Sequence, residues 1–108
     1  MARNISTLQH DALLEMLREV RARQGVTQGA LADALGFRQT DISKSERGVR
    51  RLDVLELRAW INALGLSFVE FSQQLDERLA GMETLQRHAS SNAASVVRGA
   101  TVKARRRR

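Results

Sequence analysis

Residues 27–48 read TQGALADALGFRQTDISKSERG, and this stretch decides the fold. Its apolar spacing predicts two short helices, residues 28–35 and 39–47. Gly36 lies between them, and glycine ends a helix readily because it adopts a positive φ without a steric cost. The stretch therefore predicts two helices joined by a tight turn.

The first of these helices carries the residues that hold the second one. Leu31 and Leu35 are one turn apart and form an inward face, and Ala32 is small enough for the next helix to cross close by. Ala32, Gly36 and Ile42 have the spacing of the small residue, the glycine and the aliphatic residue of a helix-turn-helix motif. An ordinary helical hairpin would also suit these residues, so the motif needs support from the rest of the chain.

The second helix, residues 39–47, has one polar face and one packing face. At about 100° per residue, Ile42 and Ser45 point away from an arc of about 140° that holds five polar side chains. These five are Gln39, Thr40, Ser43, Lys44 and Arg47. They include no carboxylate, and amide, hydroxyl and cationic side chains bond phosphate oxygens and base edges in a major groove. The face therefore predicts an anionic, hydrogen-bonding partner.

Positive charge is concentrated in two parts of the chain. Residues 1–82 hold 11 basic and 11 acidic residues, whereas residues 83–108 hold 7 basic residues and 1 acidic residue. Within the neutral part, residues 37–51 have a net charge of +3, because five basic residues outnumber two acidic ones. A basic patch therefore lies on and just after the second helix of the motif, where phosphates would lie.

A helix before the motif is predicted from Ser6 or Thr7, either of which can cap its first turn, to about Gln24. Gly25 ends it. Its buried stripe consists of Leu13, Leu14, Leu17 and Val20.

Two more helices are predicted after the motif. Asp53 and Glu56 form a capping box for the first, and Gly65 ends it. Its core side consists of Val54, Leu57, Trp60, Ile61 and Leu64. The second begins after Ser67 and ends near Gly81.

The whole chain predicts one all-α domain. No segment alternates with the period of two of a half-buried strand, and 108 residues suffice for one modest core. We expect a compact five-helix domain over residues 1–82 and a flexible basic tail over residues 83–108, with room for a short helical extension at its start. The terminal KARRRR either adds phosphate contacts through counterion release or is simply solvated.

Several classes of function have no residues to support them. The chain has no Cys, which excludes disulfides and thiolate metal sites and suits a reducing cytoplasm. His10 and His88 lack the partners of a metal site, and no catalytic constellation stands out, so we expect neither an enzyme nor a metal or cofactor. No apolar run approaches the ~20 residues of a membrane span, and the N-terminus lacks the apolar core of a signal peptide.

The chain resembles the phage-repressor and Cro type (XRE-like) of helix-turn-helix proteins over about residues 13–75. The resemblance rests on R-x-x-x-G-V-T-Q, L-A-x-x-L-G, I-S-K-S-E-R-G and A-L-G-L-S, which occur in this order. It implies a lambda-repressor-like domain that binds double-stranded DNA in a bacterial or phage setting, in the cytoplasm at the nucleoid.

The resemblance also implies roles for particular residues. Gln39 and Thr40 match the principal base readers of the family, and Lys44 matches a further one. Ser43 lies on the same polar face and is also expected to contact a base edge. Together with the basic patch, the resemblance assigns phosphate contacts to Gln28, Arg38, Arg47, Arg50 and Arg51. Gln28 is expected to brace Gln39 as well. Arg21 and Glu46 match an internal ion pair that joins the first and third helices, and its role is structural.

Three residues depart from the pattern of the family. Ser45 stands where relatives usually have an aliphatic or aromatic residue, so a hydroxyl is expected to face the core and bond a helical carbonyl. Arg38 occupies the usual capping position of the third helix. Asp41 lies at the edge of the polar face. It could accept a hydrogen bond from a cytosine amino group, but we favour a solvated or capping role.

These observations predict a transcriptional regulator, most simply a homodimeric repressor that reads a pseudo-palindromic operator with residues 39–47. A dimer is expected because one recognition helix reads too few base pairs to be selective. Its interface is expected on the fifth helix, at Phe68, Val69, Phe71, Leu75 and Leu79. Two other functions stay open: an antitoxin that binds a toxin or co-regulator while it regulates itself through the same domain, and a subunit of a larger assembly.

Overall fold

The computed structural model describes residues 4–90, which form five helices and no strand. The helices are α1 (Ile5–Arg23), α2 (Gln28–Leu35), α3 (Gln39–Glu46), α4 (Val54–Ala63) and α5 (Phe68–Ser90). The all-α prediction is confirmed, and α2 has the predicted bounds. Residues 91–108 lie outside the described part of the chain. The predictions of a flexible tail and of phosphate contacts within it concern these residues.

Side-chain caps start four of the helices, and the cap of α5 is Ser67, whose Oγ accepts from Glu70 N at 3.2 Å. Thr27 Oγ1 accepts a hydrogen bond from Ala30 N at 3.0 Å, which begins α2. The capping box of α4 is formed as predicted, because Asp53 Oδ1 accepts from Glu56 N at 2.8 Å and Asp53 N donates to Glu56 Oε1 at 3.1 Å. The predicted cap of α1 was wrong. Its capping residue is Asn4, which accepts from Thr7 N at 2.9 Å, since asparagine caps a helix as well as serine or threonine does.

Helix α5 continues past Gly81 to Ser90, so the end predicted near Gly81 was wrong, whereas a helical extension at the start of residues 83–108 is present. A glycine inside a helix costs only about 1 kcal/mol relative to alanine, and contacts with a neighbouring helix outweigh that cost. Here Gln9 Nε2 donates to Glu83 Oε2 at 2.9 Å, and Arg78 pairs with Glu15 of α1. The antiparallel packing of α1 and α5 therefore extends beyond the predicted domain boundary.

One core joins all five helices. Its buried members are Met16, Leu17, Val20, Leu31, Ala32, Ile42, Trp60, Ile61, Leu64 and Phe71. Val54 was wrongly assigned to this core, because it is the first residue of α4 and is 64% exposed. Helix α2 packs against α3 and α4, and α1 packs against α3 and α5. Helix α3 is thus held from two sides. None of the helices in residues 4–90 is long and apolar enough to cross a bilayer.

Candidate nucleic-acid interface

Helix α3 divides into a buried face and an exposed face. Ile42, Ser45 and Glu46 are at most 2% exposed. The exposed side chains are Gln39, Thr40, Lys44 and, at the C-cap, Arg47. Ser43 is half-buried, and its Oγ accepts a hydrogen bond from Arg47 Nε at 3.4 Å. The structure therefore brings the predicted base-contacting residues together along one side of an eight-residue helix.

The first turn of α3 is fastened by Asp41. Arg38 N donates to Asp41 Oδ2 at 3.1 Å, and the Arg38 guanidinium lies 3.6 Å from the same oxygen. The hydrogen bond from the backbone of Arg38, followed by the charge of its guanidinium, holds the pKa of the Asp41 carboxyl below its ordinary value of 3.8. Asp41 is therefore a helix cap, as the favoured interpretation expected, while the Arg38 side chain remains 83% exposed.

The last turn of α3 is fastened by Glu46, whose side chain is 3% exposed. Arg21 holds both carboxylate oxygens, with Nε 2.6 Å from Oε2 and Nη2 3.0 Å from Oε1. Gln28 Nε2 donates to Oε1 at 3.0 Å, and Arg18 Nη1 donates to the backbone oxygen of Glu46 at 2.8 Å. The predicted ion pair is present. It belongs to a larger network that joins α1, α2 and α3 and satisfies a buried charge.

The brace predicted between Gln28 and Gln39 is replaced by another arrangement. The amide of Gln28 is turned inward to Glu46, because a buried carboxylate accepts hydrogen bonds strongly. The side chain of Gln39 lies instead over Gly29, in the first turn of α2. Gln28 still sits at the start of α2, half-buried, with a second amide hydrogen that the bond to Glu46 does not use.

Arg50 and Arg51 follow α3 and have different surroundings. The guanidinium of Arg50 donates to Glu56 at 3.0 Å and to Ser45 Oγ at 3.3 Å, and it stacks 4.8 Å from the centre of the Phe37 ring. Arg51 is exposed, and within residues 4–88 no ion pair engages its side chain. The sequence grouped both as phosphate contacts. A carboxylate six residues after Arg50 was the available sign that this arginine has an internal partner.

The five residues predicted for a dimer interface differ in how far they are exposed. Phe71 is 4% exposed and belongs to the core, against which Phe68 and Leu75 also pack. Leu79 is half-buried, and Val69 is 75% exposed. Contrary to the expectation, Phe71 therefore offers little surface to a partner, because it is a buried member of the core that joins the helices.

Residues 4–90 also contain a cleft beside the end of α3. Within the described part of the chain, no group of His, Asp and Glu is arranged to hold a metal ion. The cleft has a volume of about 510 Å³ and lies between α1, the end of α3 and α5. Two of its cations are already paired, Arg18 with the carbonyl of Glu46 and Arg78 with Glu15.

Comparisons with known proteins agree with this geometry. The helix-turn-helix family profile matches residues 17–71. A solved structure, an XRE-family like protein from Pseudomonas syringae pv. tomato str. DC3000, is 36% identical and superimposes with a TM-score of 0.62. The alignment covers 72% of this chain and 90% of the Pseudomonas chain. No curated protein matches. The chain belongs to the XRE-like helix-turn-helix family of DNA-binding transcription regulators.

Proposed function

We propose that this protein is a sequence-specific repressor that reads double-stranded DNA with α3. One observation carries the proposal: the exposed side of α3 is polar, while its buried side is fastened at both ends, by Asp41 at the start and by Glu46 at the end. A contact helix that is held in this way presents its side chains in a fixed geometry, which base recognition requires.

Each exposed side chain of α3 suits a specific contact. The amide of Gln39 can pair with the N6 and N7 positions of adenine, and Lys44 suits O6 and N7 of guanine. Thr40 lies between them in the sequence and can contact either a base edge or a thymine methyl group. Ser43 is held by Arg47 and contributes a weaker contact. Gln39, Thr40 and Lys44 are therefore the principal readers in this proposal.

Phosphate contacts are assigned to the exposed cations around α3. Arg38, Arg47 and Arg51 flank the helix at its two ends and are exposed, so each can approach the DNA backbone on either side of the groove. Gln28 adds a contact through its unused amide hydrogen. Arg50 is left out of this set because its guanidinium is engaged within the protein.

The repressor is proposed to act as a homodimer on two half-sites about 34 Å apart, since one α3 reads too few base pairs for selectivity. Among the five residues predicted for the interface, Val69 is exposed and Phe68, Leu75 and Leu79 are half-buried. Leu85, further along α5, is 71% exposed. Sedimentation of the protein with and without operator DNA tests the dimer. A monomer in both conditions at micromolar concentration would rule it out.

A selection from genomic fragments at near-physiological salt tests the proposed function. Wild-type protein is compared with the Gln39→Ala, Thr40→Ala double variant, and Gln73→Ala, an exposed glutamine of α5, is the matched control. Wild type and control should enrich the same palindromic fragments. The double variant should bind them at least about tenfold more weakly, because each good base contact is worth about 1–3 kcal/mol. Enrichment of the same fragments by all three proteins would refute α3 as the reader.

A further inference from the structure

Arg50 links three separate parts of the domain. Its Nη2 donates to Glu56 Oε2 at 3.0 Å in the first turn of α4, and its Nη1 donates to Ser45 Oγ at 3.3 Å in α3. The plane of the guanidinium covers the ring of Phe37, in the turn between α2 and α3. This one side chain therefore fixes where the end of α3 lies relative to α4 and to the turn.

Ser45 explains why the link is polar. The residue is 1% exposed, and within residues 4–90 its hydroxyl would lose its hydrogen-bond partner if Arg50 moved away. A small cavity of about 70 Å³ adjoins it, lined among others by His10, Leu14 and Leu52. A serine fills this place less completely than a larger apolar residue would, so packing alone holds this part of α3 weakly. The contact from Arg50 supplies the missing restraint.

The backbone carries this restraint to the exposed face of α3. Val49 N and Arg50 N both donate to the carbonyl oxygen of Lys44, at 2.8 and 3.2 Å. The segment anchored by the Arg50 side chain is thus bonded directly to a residue proposed to contact a base. A displacement of Arg50 would shift Lys44, and an error of about 1 Å in a binding site weakens recognition.

We propose that Arg50 is a positioning residue for DNA recognition, which sets the direction of α3 through Ser45, Glu56 and Phe37 and does not itself contact phosphate. The inference rests on the proposed role of α3 as the DNA reader. The surroundings of Arg50 distinguish this residue from a phosphate contact, because Glu56 and the ring of Phe37 already occupy the edge and one face of its guanidinium.

Two variants test the proposal without removing positive charge. Arg50→Lys keeps the charge but loses the two guanidinium nitrogens that bond Ser45 and Glu56 at the same time. Glu56→Gln removes the partner and retains a side chain that completes the capping box with Asp53. Arg51→Gln, at the exposed neighbour, is the control. Affinities for the selected operator fragment and for random DNA are measured over a salt series, at a temperature where circular dichroism shows each variant folded.

Arg50→Lys and Glu56→Gln should each bind the operator about tenfold more weakly, with unchanged affinity for random DNA and an unchanged salt slope. Arg51→Gln should weaken both and reduce the slope by about 0.9. Tighter binding by Glu56→Gln would show that a freed Arg50 contacts phosphate, which overturns the proposal. An operator preference that survives both Arg50→Lys and Glu56→Gln overturns this inference alone, whereas a wild type that prefers no fragment overturns the proposed function as well.

Discussion

The two faces of α3 consist of alternating residues of one short helix and differ in their surroundings. Ile42 and Glu46 are buried against α1 and α2, and the charge of Glu46 is satisfied by Arg21 and Gln28. Gln39 and Lys44, on the same helix, are exposed. The difference teaches that stability and the proposed DNA recognition are carried by different side chains of one eight-residue helix, because one face exchanges water for protein contacts and the other keeps its polar groups available.

The largest effect on the buried face is expected from Glu46→Gln. The change leaves the guanidinium of Arg21, whose side chain is 19% exposed, without its counter-charge. Breaking a buried pair in this way should lower the free energy of unfolding by about 3 kcal/mol, measured by urea denaturation.

The matched control is Glu15→Gln, which breaks an ion pair with Arg78 on the surface. Both side chains of that pair are substantially exposed, so its loss should change stability by less than about 1 kcal/mol. Equal effects of the two substitutions would mean that burial does not separate the two pairs and would remove the basis of the comparison.

A smaller effect, of the opposite kind, is expected from Lys44→Gln on the exposed face. If Lys44 contacts a base as proposed, its loss should weaken binding to the selected operator about tenfold, because a base contact is worth about 1–3 kcal/mol. The urea midpoint should stay within the range of surface substitutions, about 0.5 kcal/mol. Affinity is read by fluorescence anisotropy and stability by denaturation. A variant that unfolds more easily yet binds normally would show that Lys44 belongs to the buried face of α3, which contradicts the assignment.

Local signals in the sequence were sufficient for the helix-turn-helix unit. Thr27 and Gly36 mark the ends of α2 by chemistry that few other residues supply, namely a side-chain acceptor and a positive φ of 72°. The buried face of α3 followed from helical periodicity, and the pairing of Arg21 with Glu46 followed from the family resemblance. These features depend on residues close in sequence or on an arrangement that the family resemblance implies, so they could be predicted before the fold was known.

Contacts between distant segments could not be predicted in the same way. Gly81 resembles a helix end until α1 is known to lie beside it, and Phe71 resembles interface surface until it is known to lie in the core with residues of the other four helices. Arg50 resembles another member of a basic patch until Glu56 and Phe37 are brought to it. In each case tertiary packing, and not local propensity, decided the role.

The smallest expected effect concerns Asp41, which lies at the border of the two faces and belongs structurally to the buried one. Its folded pKa is lowered below 3.8, chiefly by the hydrogen bond from the backbone of Arg38. A group with a depressed folded pKa contributes stability that is present above its unfolded pKa and is lost as the pH falls through the folded pKa. Wild-type protein should therefore lose stability in acid relative to Asp41→Asn, whose side chain does not titrate.

The free energy of unfolding of both proteins, measured from neutral pH down to below pH 3.8, checks this expectation. The wild type should be the more stable at neutral pH, and its advantage should shrink only at the acidic end. Operator preference at neutral pH should be the same for both, because the amide oxygen of asparagine can still accept from Arg38 N while neither side chain contacts a base. An altered preference at a single base pair would instead place Asp41 in the groove, as an acceptor for cytosine, and would move the border between the two faces of α3 by one residue position.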